Sequence, residues 1–384
     1  MHFSDLAQQL TGTKNPLYML RDELRSKGTA VVDLVRGNVN EHGITYPEKI
    51  LNEILSQSQE SARIYRPDSL GQPVAREAIA NYYDASWATP QQILITPGTS
   101  ISYWYCFKLL AEPGDEILSP QPSYPLFDYI AKLCGVTMTS YRLAESKEWA
   151  IDLDHLEEQI TPRTRAIVLI SPHNPTGMVA SEAQLAGLAE IAIRHDLPII
   201  SDEVFNEFLF GLESLPRPAT TKAPLVFTLN GFSKMFALPG IKLGWIAVSG
   251  DPEHVQSSLS ALEMISDTFL PVNEMVQFSV PQIFERGAAF RAEYSEWVQR
   301  SYELAMAGLA DVDFVRPKGG FYVTVPIFED EDTAATALLR DHGILTHPGY
   351  YYDIEPNHLV MTFIHDPQML LKSFRRISLA ARLS

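Results

Sequence analysis

At 384 residues the chain is long for one hydrophobic core, and with 46% hydrophobic and 20% charged residues it has the composition of ordered globular material, which excludes a disordered chain. A formal net charge of −17 argues against nucleic acid or an anionic membrane as a partner, and no apolar run is long enough to span a membrane. Two cysteines in apolar stretches, Cys106 and Cys134, read as buried thiols rather than a disulfide or a metal site. Together with a first segment that lacks the basic start and apolar run of a signal peptide, they predict a cytoplasmic protein without a metal.

In chain order, residues 4–28 read as one or two helices with Asn15-Pro16 as the break, and residues 31–35 as a short strand. The strand runs into Arg36–Gly43, a loop too polar for a core, where Asn38, Asn40 and His42 fit either a surface turn or a substrate-facing edge. A helix over 47–57 precedes Tyr65–Ala80, whose tail is a helix with Pro73 near its start, where a missing N–H costs least. Residues 93–96 form a buried strand, after which Pro97-Gly98-Thr99-Ser100 opens a helix running to Leu110. Strand, glycine, hydroxyl residues and helix start together make an anion site, although a plain N-cap has the same look. A strand over 116–118 then delivers Pro122-Ser123-Tyr124-Pro125.

The middle of the chain alternates strand and helix: strand 166–171, helix 181–195, and strands 198–201, 226–229 and 245–249. Such alternation implies an α/β fold with a mostly parallel sheet, helices on both faces, and ligands gathered at the strand ends. His173-Asn174-Pro175-Thr176-Gly177 and Asp202 both follow such strands. A carboxylate ending an apolar strand is costly unless a cation sits against it. The stretch GFSKMFALPGIKLGW, Gly231–Trp245, then places Lys234 after a small-residue turn and a second cation, Lys242, eight residues on. An amine that attacks a carbonyl carbon must lose its proton near neutral pH, which burial and a neighbouring cation both favour, yet these residues also fit an amphipathic loop with two solvated lysines. From Pro271 a long helix is expected, then strands around 319–323 and 358–363 with Pro348–Tyr352 between them, and a last helix carrying Arg375 and Arg376 on its surface.

The Lys234 segment resembles the SxSK…GxRxG segment of class I/II aminotransferases, the fold-type I enzymes that use pyridoxal 5'-phosphate (PLP). Four further motifs stand in the family's order, so the resemblance covers nearly the whole chain: Tyr65…Gly71, Gly98-Thr99-Ser100, Tyr124 after Pro122, and Asn174–Gly177 with Asp202. It implies a large PLP-binding domain of mostly parallel sheet at residues 46–280. A smaller α/β domain would be built from both termini, residues 1–45 and 281–384. It implies Lys234 as the Schiff-base lysine, Asp202 on the pyridine nitrogen, Asn174 on the 3'-oxygen and Tyr124 stacked on the ring. Thr99, Ser100, Ser233 and Lys242 would hold the phosphate end, with Tyr65 reaching the cofactor of the partner subunit in a homodimer. The implied reaction is transfer of an amino group between an amino acid or other amine and a keto acid, with a PLP-dependent lyase, decarboxylase or cyclase as the alternative. A non-catalytic PLP-binding regulator is disfavoured by the acidic charge and the lack of a DNA-binding segment before the domain.

Three departures from the family pattern fall on positions that tune chemistry or choose substrate. Phe205 stands where a tyrosine hydroxyl is usual, so the Schiff base should hold its proton more tightly. Gly231 and Lys242 replace a serine and an arginine, the latter keeping the charge but losing the bidentate fork. Val360 stands where relatives place the arginine that clamps the substrate carboxylate, which shifts the expected recognition to Asn38–His42 or to the Tyr350–Tyr352 cluster, with Tyr350 as the named candidate.

Overall fold

A computed structural model describes residues 2–9, 15–270 and 272–382. Thirteen strands are formed by the described residues. They are β1 Val32–Asp33, β2 Ile93–Thr96, β3 Glu116–Gln121, β4 Thr137–Ala144, β5 Ala150–Ile151, β6 Thr164–Ile170, β7 Ile199–Asp202, β8 Leu225–Gly231, β9 Gly244–Gly250, β10 Tyr322–Pro326, β11 Ile344–Leu345, β12 His347–Pro348 and β13 His358–Thr362. Eight of them make the main sheet, in the order β2-β9-β8-β7-β6-β3-β4-β5.

Within that sheet β8, β7, β6, β3 and β4 are mutually parallel, while β9 is antiparallel to both β8 and β2. Two reversals restore direction, so β2 points the same way as the parallel set. All residues of β2, β7 and β8 are buried, as expected of strands covered by helices on both faces. Hence the segments that follow β2, β3, β6, β7 and β8 all emerge at one edge of the sheet, and every motif singled out in the middle of the chain lies there.

The helices start where local chemistry satisfies their free N–H groups. Asn15 caps Pro16–Ser26 by accepting from the Leu17 N–H at 2.9 Å, which is the predicted break at Asn15-Pro16. Ser181 and Gln184 form a reciprocal capping box at Glu182–His195. Pro73 takes the first position of Pro73–Tyr83, as predicted. The single long helix expected from Pro271 is two, Glu274–Arg286 and Ala288–Gly308. Pro271 itself lies outside the described residues. Gly287 stands between the two helices, at a point where a Cβ would sit 2.9 Å from both Phe236 and Tyr46. The expected domain limit at residue 280 falls inside the first of them, whose Val276, Val280 and Ile283 pack with Ile54 and Ile79.

Two smaller sheets complete the chain. β1 pairs in parallel with β11, and β13 lies between β10 and β12. Leu17, Val32 and Leu34 from the N-terminal segment share one core with Leu338, Leu345 and Phe374 near the other end of the chain. Arg375 and Arg376 are exposed on the last helix.

One buried ion pair fixes the loop after β7. Glu203, 1% exposed, accepts from Arg217 Nε at 2.8 Å and from the Ser201 hydroxyl at 3.3 Å. Burial pushes its carboxyl above the usual range, and the guanidinium opposes that shift. Replacing Arg217 by Met is expected to cost about 3 kcal/mol, since it strands a buried carboxylate. Adding Glu203→Gln to that variant should recover much of the loss in chemical denaturation; no recovery would show that packing, not charge, holds Arg217.

Candidate active site

Lys234 sits in the short helix Phe232–Met235 that follows β8. Gly231 at the strand end is packed so closely that a Cβ would fall 2.7 Å from the Leu243 carbonyl, which accounts for a glycine at this position. The Lys234 amine is half-buried, 3.5 Å from the Gly37 carbonyl and 5.7 and 5.9 Å from the ring centres of Phe205 and Phe321. Burial lowers its pKa below the ordinary lysine value, with the charge of Asp202 pulling the other way. The exposed Lys242 lines neither cavity described below, so the desolvation is supplied by the aromatic walls and not by a second cation.

Asp202 closes β7. Its Oδ2 accepts from the Tyr103 hydroxyl at 2.9 Å and its Oδ1 from the Val204 N–H at 3.1 Å. Both donors are neutral. Burial therefore dominates and pushes the carboxyl up to about 6, against the lowering effects of those donors and of Lys234. Tyr103 was not anticipated from the sequence, although it stands one helical turn beyond Thr99 and so on the same face.

A cavity of about 200 Å³ brings together Thr99, Ser100, Tyr103, Tyr124, Asn174, Asp202, Phe205, Ser233, Lys234 and Tyr322. Thr99 and Ser100 open the helix Thr99–Leu110, whose N-terminus no side chain caps. Asn174 is buried with its Oδ1 unpartnered by protein. Its neighbour His173 is pushed down to about 3 by burial and bonds Thr176 at 2.9 Å, a structural role inside the loop. Tyr124 lies on the open side, 39% exposed.

A second, wider cavity of about 520 Å³ shares Tyr124, Ser233, Lys234 and Tyr322 with the first and continues past Arg36, Gly37, Asn38 and Glu41 to His347 and Tyr352. Asn38 lines it, but its side chain is engaged within its own loop, accepting from the Asn40 N–H at 3.3 Å and donating to Glu41 at 3.1 Å. Asn40 ties the loop to the Ala237 carbonyl at 3.1 Å. Two expectations about substrate residues are corrected. His42 lines neither cavity, because its ring packs 4.4 Å from that of His365. Tyr350 points away, its hydroxyl donating to Asp332 at 3.0 Å; Tyr352, two residues on, faces the cavity instead. Tyr65 is 71% exposed and lines neither cavity of its own chain.

A buried lysine amine and a buried carboxyl at one strand-end edge, beside an uncapped helix N-terminus, define an α/β enzyme built to hold an anionic aromatic cofactor. The chain belongs to the class I and II aminotransferase family, whose model matches residues 30–377. It is 29% identical over 385 residues to the glutamate-pyruvate aminotransferase AlaA of Escherichia coli K12, covering 94% of each chain. It is 29% identical to the alanine aminotransferase of Mycobacterium tuberculosis H37Rv, covering 90% of this chain and 84% of that one. Among solved structures, the alanine aminotransferase from Pyrococcus furiosus superposes with a TM-score of 0.89 at 26% identity, covering 98% of both chains. These are fold-type I, PLP-dependent aminotransferases.

The residues present fit that cofactor. The Asp202 carboxyl is met by neutral hydrogen-bond donors and is ready for a cationic ring nitrogen, and the uncapped helix N-terminus is suited to a phosphate.

The raised Asp202 pKa has a measurable consequence in cofactor-free protein. A carboxyl at about 6 in the folded state and about 3.9 unfolded stabilises the fold below pH ~4 and loses that contribution as pH rises toward 6. Wild type should therefore lose on the order of 2 kcal/mol relative to Asp202→Asn between pH ~4 and ~6. Denaturant unfolding at several pH values checks this; parallel curves would show the shift to be absent.

Proposed function

We propose that this chain transfers an amino group between an amine or amino acid and a keto acid, with Lys234 as the catalytic residue. The observation that carries the reading is the pairing of a desolvated Lys234 amine with the buried Asp202 carboxyl in one cavity. PLP held there would supply a reactive aldehyde and a ring able to accept the electron pair released at the substrate's Cα. Lys234, its pKa lowered by burial, would hold the cofactor and would serve as general base and acid for the proton at Cα. Asp202 would hold the cationic form of the ring nitrogen. Tyr103 keeps that carboxylate in place through its hydroxyl. Asn174 would donate to the ring's 3'-oxygen, and Tyr124 would cover the ring. Thr99, Ser100 and Ser233 would bind the phosphate, with Lys242 outside the cavity adding charge at most.

We further infer a homodimer working in a reducing, cytoplasmic setting. Tyr65, exposed on its own chain after the helix Glu48–Ala62, is free to enter a partner's site, and both cysteines are unpaired and buried.

An amino-donor screen with keto-acid acceptors tests the reaction. Amino transfer without ammonia is expected; release of ammonia would favour the lyase alternative. Lys234→Ala should abolish turnover and the borohydride-fixed link to cofactor, whereas Asp202→Asn should keep PLP bound but slow proton abstraction by orders of magnitude. Cofactor still fixed at the same site in the Lys234 variant would refute the assignment. Mixing Tyr65→Phe with Lys234→Ala chains should restore one good site per mixed dimer; activity that tracks monomer would remove the shared-site reading.

A further inference from the structure

The wider cavity ends in a hydrogen-bonded chain that the reaction described above does not use. Its lining includes Lys234, Tyr124 and Tyr322 together with His347 and Tyr352. Val360, 1% exposed, stands opposite His347 in the β12–β13 pairing and opposite Thr324 in the β10–β13 pairing. His347 is thus paired across the strands with a buried apolar residue and not with a charged one. Tyr352 is fixed from behind, since its carbonyl accepts from the Ser123 N–H at 2.9 Å, next to Tyr124.

Tyr18 Oη lies 2.6 Å from His347 Nε2, and Tyr352 Oη lies 3.1 Å from His347 Nδ1. Burial pushes the imidazole down to about 4, so it is neutral near pH 7, with one N–H and one lone pair. Two hydroxyls and one N–H supply three protons for two hydrogen bonds. One donor is left over, and of the two terminal hydroxyls only that of Tyr352 belongs to a cavity-lining residue. When Tyr18 donates to Nε2 and Nδ1–H donates to Tyr352, the Tyr352 proton is free to point at a ligand.

Charge along the walls narrows what that ligand carries. Apart from Lys234, the fixed cation lining the cavities is Arg36, which lies 3.4 Å from Glu41 and 3.9 Å from Asp33 and is half-exposed. A carboxylate entering here would meet an already paired guanidinium, a neutral imidazole and the Glu41 carboxylate, and would give up its hydration for little return. A carbonyl, amide or hydroxyl oxygen loses far less on entering and is satisfied by one neutral donor.

We propose that Tyr352, positioned by His347 and Tyr18, determines specificity by donating to an uncharged oxygen on the carbon next to the amine-bearing one, so that the favoured substrates are amino amides, amino ketones or amino alcohols rather than free α-amino acids. This rests on the amino-transfer reading and names its substrate class. The test uses holoenzyme and three matched amines, L-alanine, L-alaninamide and L-alaninol, following amino transfer from each. Alaninamide and alaninol should show at least about tenfold higher kcat/KM than alanine. Tyr352→Phe should raise KM for these two by about fivefold to tenfold while leaving kcat within about twofold, and should leave alanine unchanged. His347→Gln, a positioning variant, should give the same KM-only effect at a smaller size. Preference for alanine, an equal loss for all three amines in Tyr352→Phe, or no response to any of the three would each overturn the proposal. Borohydride fixation on Lys234 is independent of these results, so failure here is distinguishable from failure of the amino-transfer reading.

Discussion

The Asp202 carboxyl is the constraint on which the site depends. It ends a strand that is buried along its whole length, and the protein meets it only with a tyrosine hydroxyl and a backbone N–H. A carboxylate so placed is poorly stabilised until a cation arrives, and the cavity leaves open the side on which a ring nitrogen would sit. Around it the sheet does the positioning. Five strands that point one way deliver Thr99, Tyr124, Asn174, Asp202 and Lys234 to one edge, and the reversed β9 lets β2 join that set without breaking the direction.

Much of this architecture was legible in the sequence because buried strands are written in runs such as Ile93–Thr96 and Leu225–Gly231, and helix starts in capping residues such as Ser181. The strands that escaped notice have weaker signals for physical reasons. β4 lies near the sheet's end, and its partly exposed alternation mixes polar residues into the strand. β11 and β12 are two residues each and exist only through pairing with distant segments, which no local pattern encodes. Thr99, Tyr124, Asn174, Asp202 and Lys234, which line the first cavity, were readable one motif at a time, each at or just after a strand end. The cluster of Tyr18, His347 and Tyr352 was not, because the three meet only through tertiary packing. The Tyr350–Tyr352 cluster marks the limit: sequence places it near the site, but only the folded turn shows that Tyr352 and not Tyr350 lines the cavity.

The same packing revises how Lys234 is understood. Burial and a neighbouring cation were both expected to lower its pKa, yet Lys242 is exposed in a left-handed turn and outside the cavities. What remains is the wall of Phe205, Phe321 and Tyr322. Ring faces attract an ammonium, and Asp202 favours it further, so both neighbours oppose loss of the proton. Desolvation still outweighs them, since the pKa lies below the ordinary lysine value. Phe205 in place of a tyrosine fits this balance. It adds apolar surface beside the amine and introduces no hydroxyl that would compete for it. Lys234 thus owes its lowered pKa to a dry aromatic setting, and the wider cavity beside it, where the other fixed cation is already paired, extends that low-charge environment.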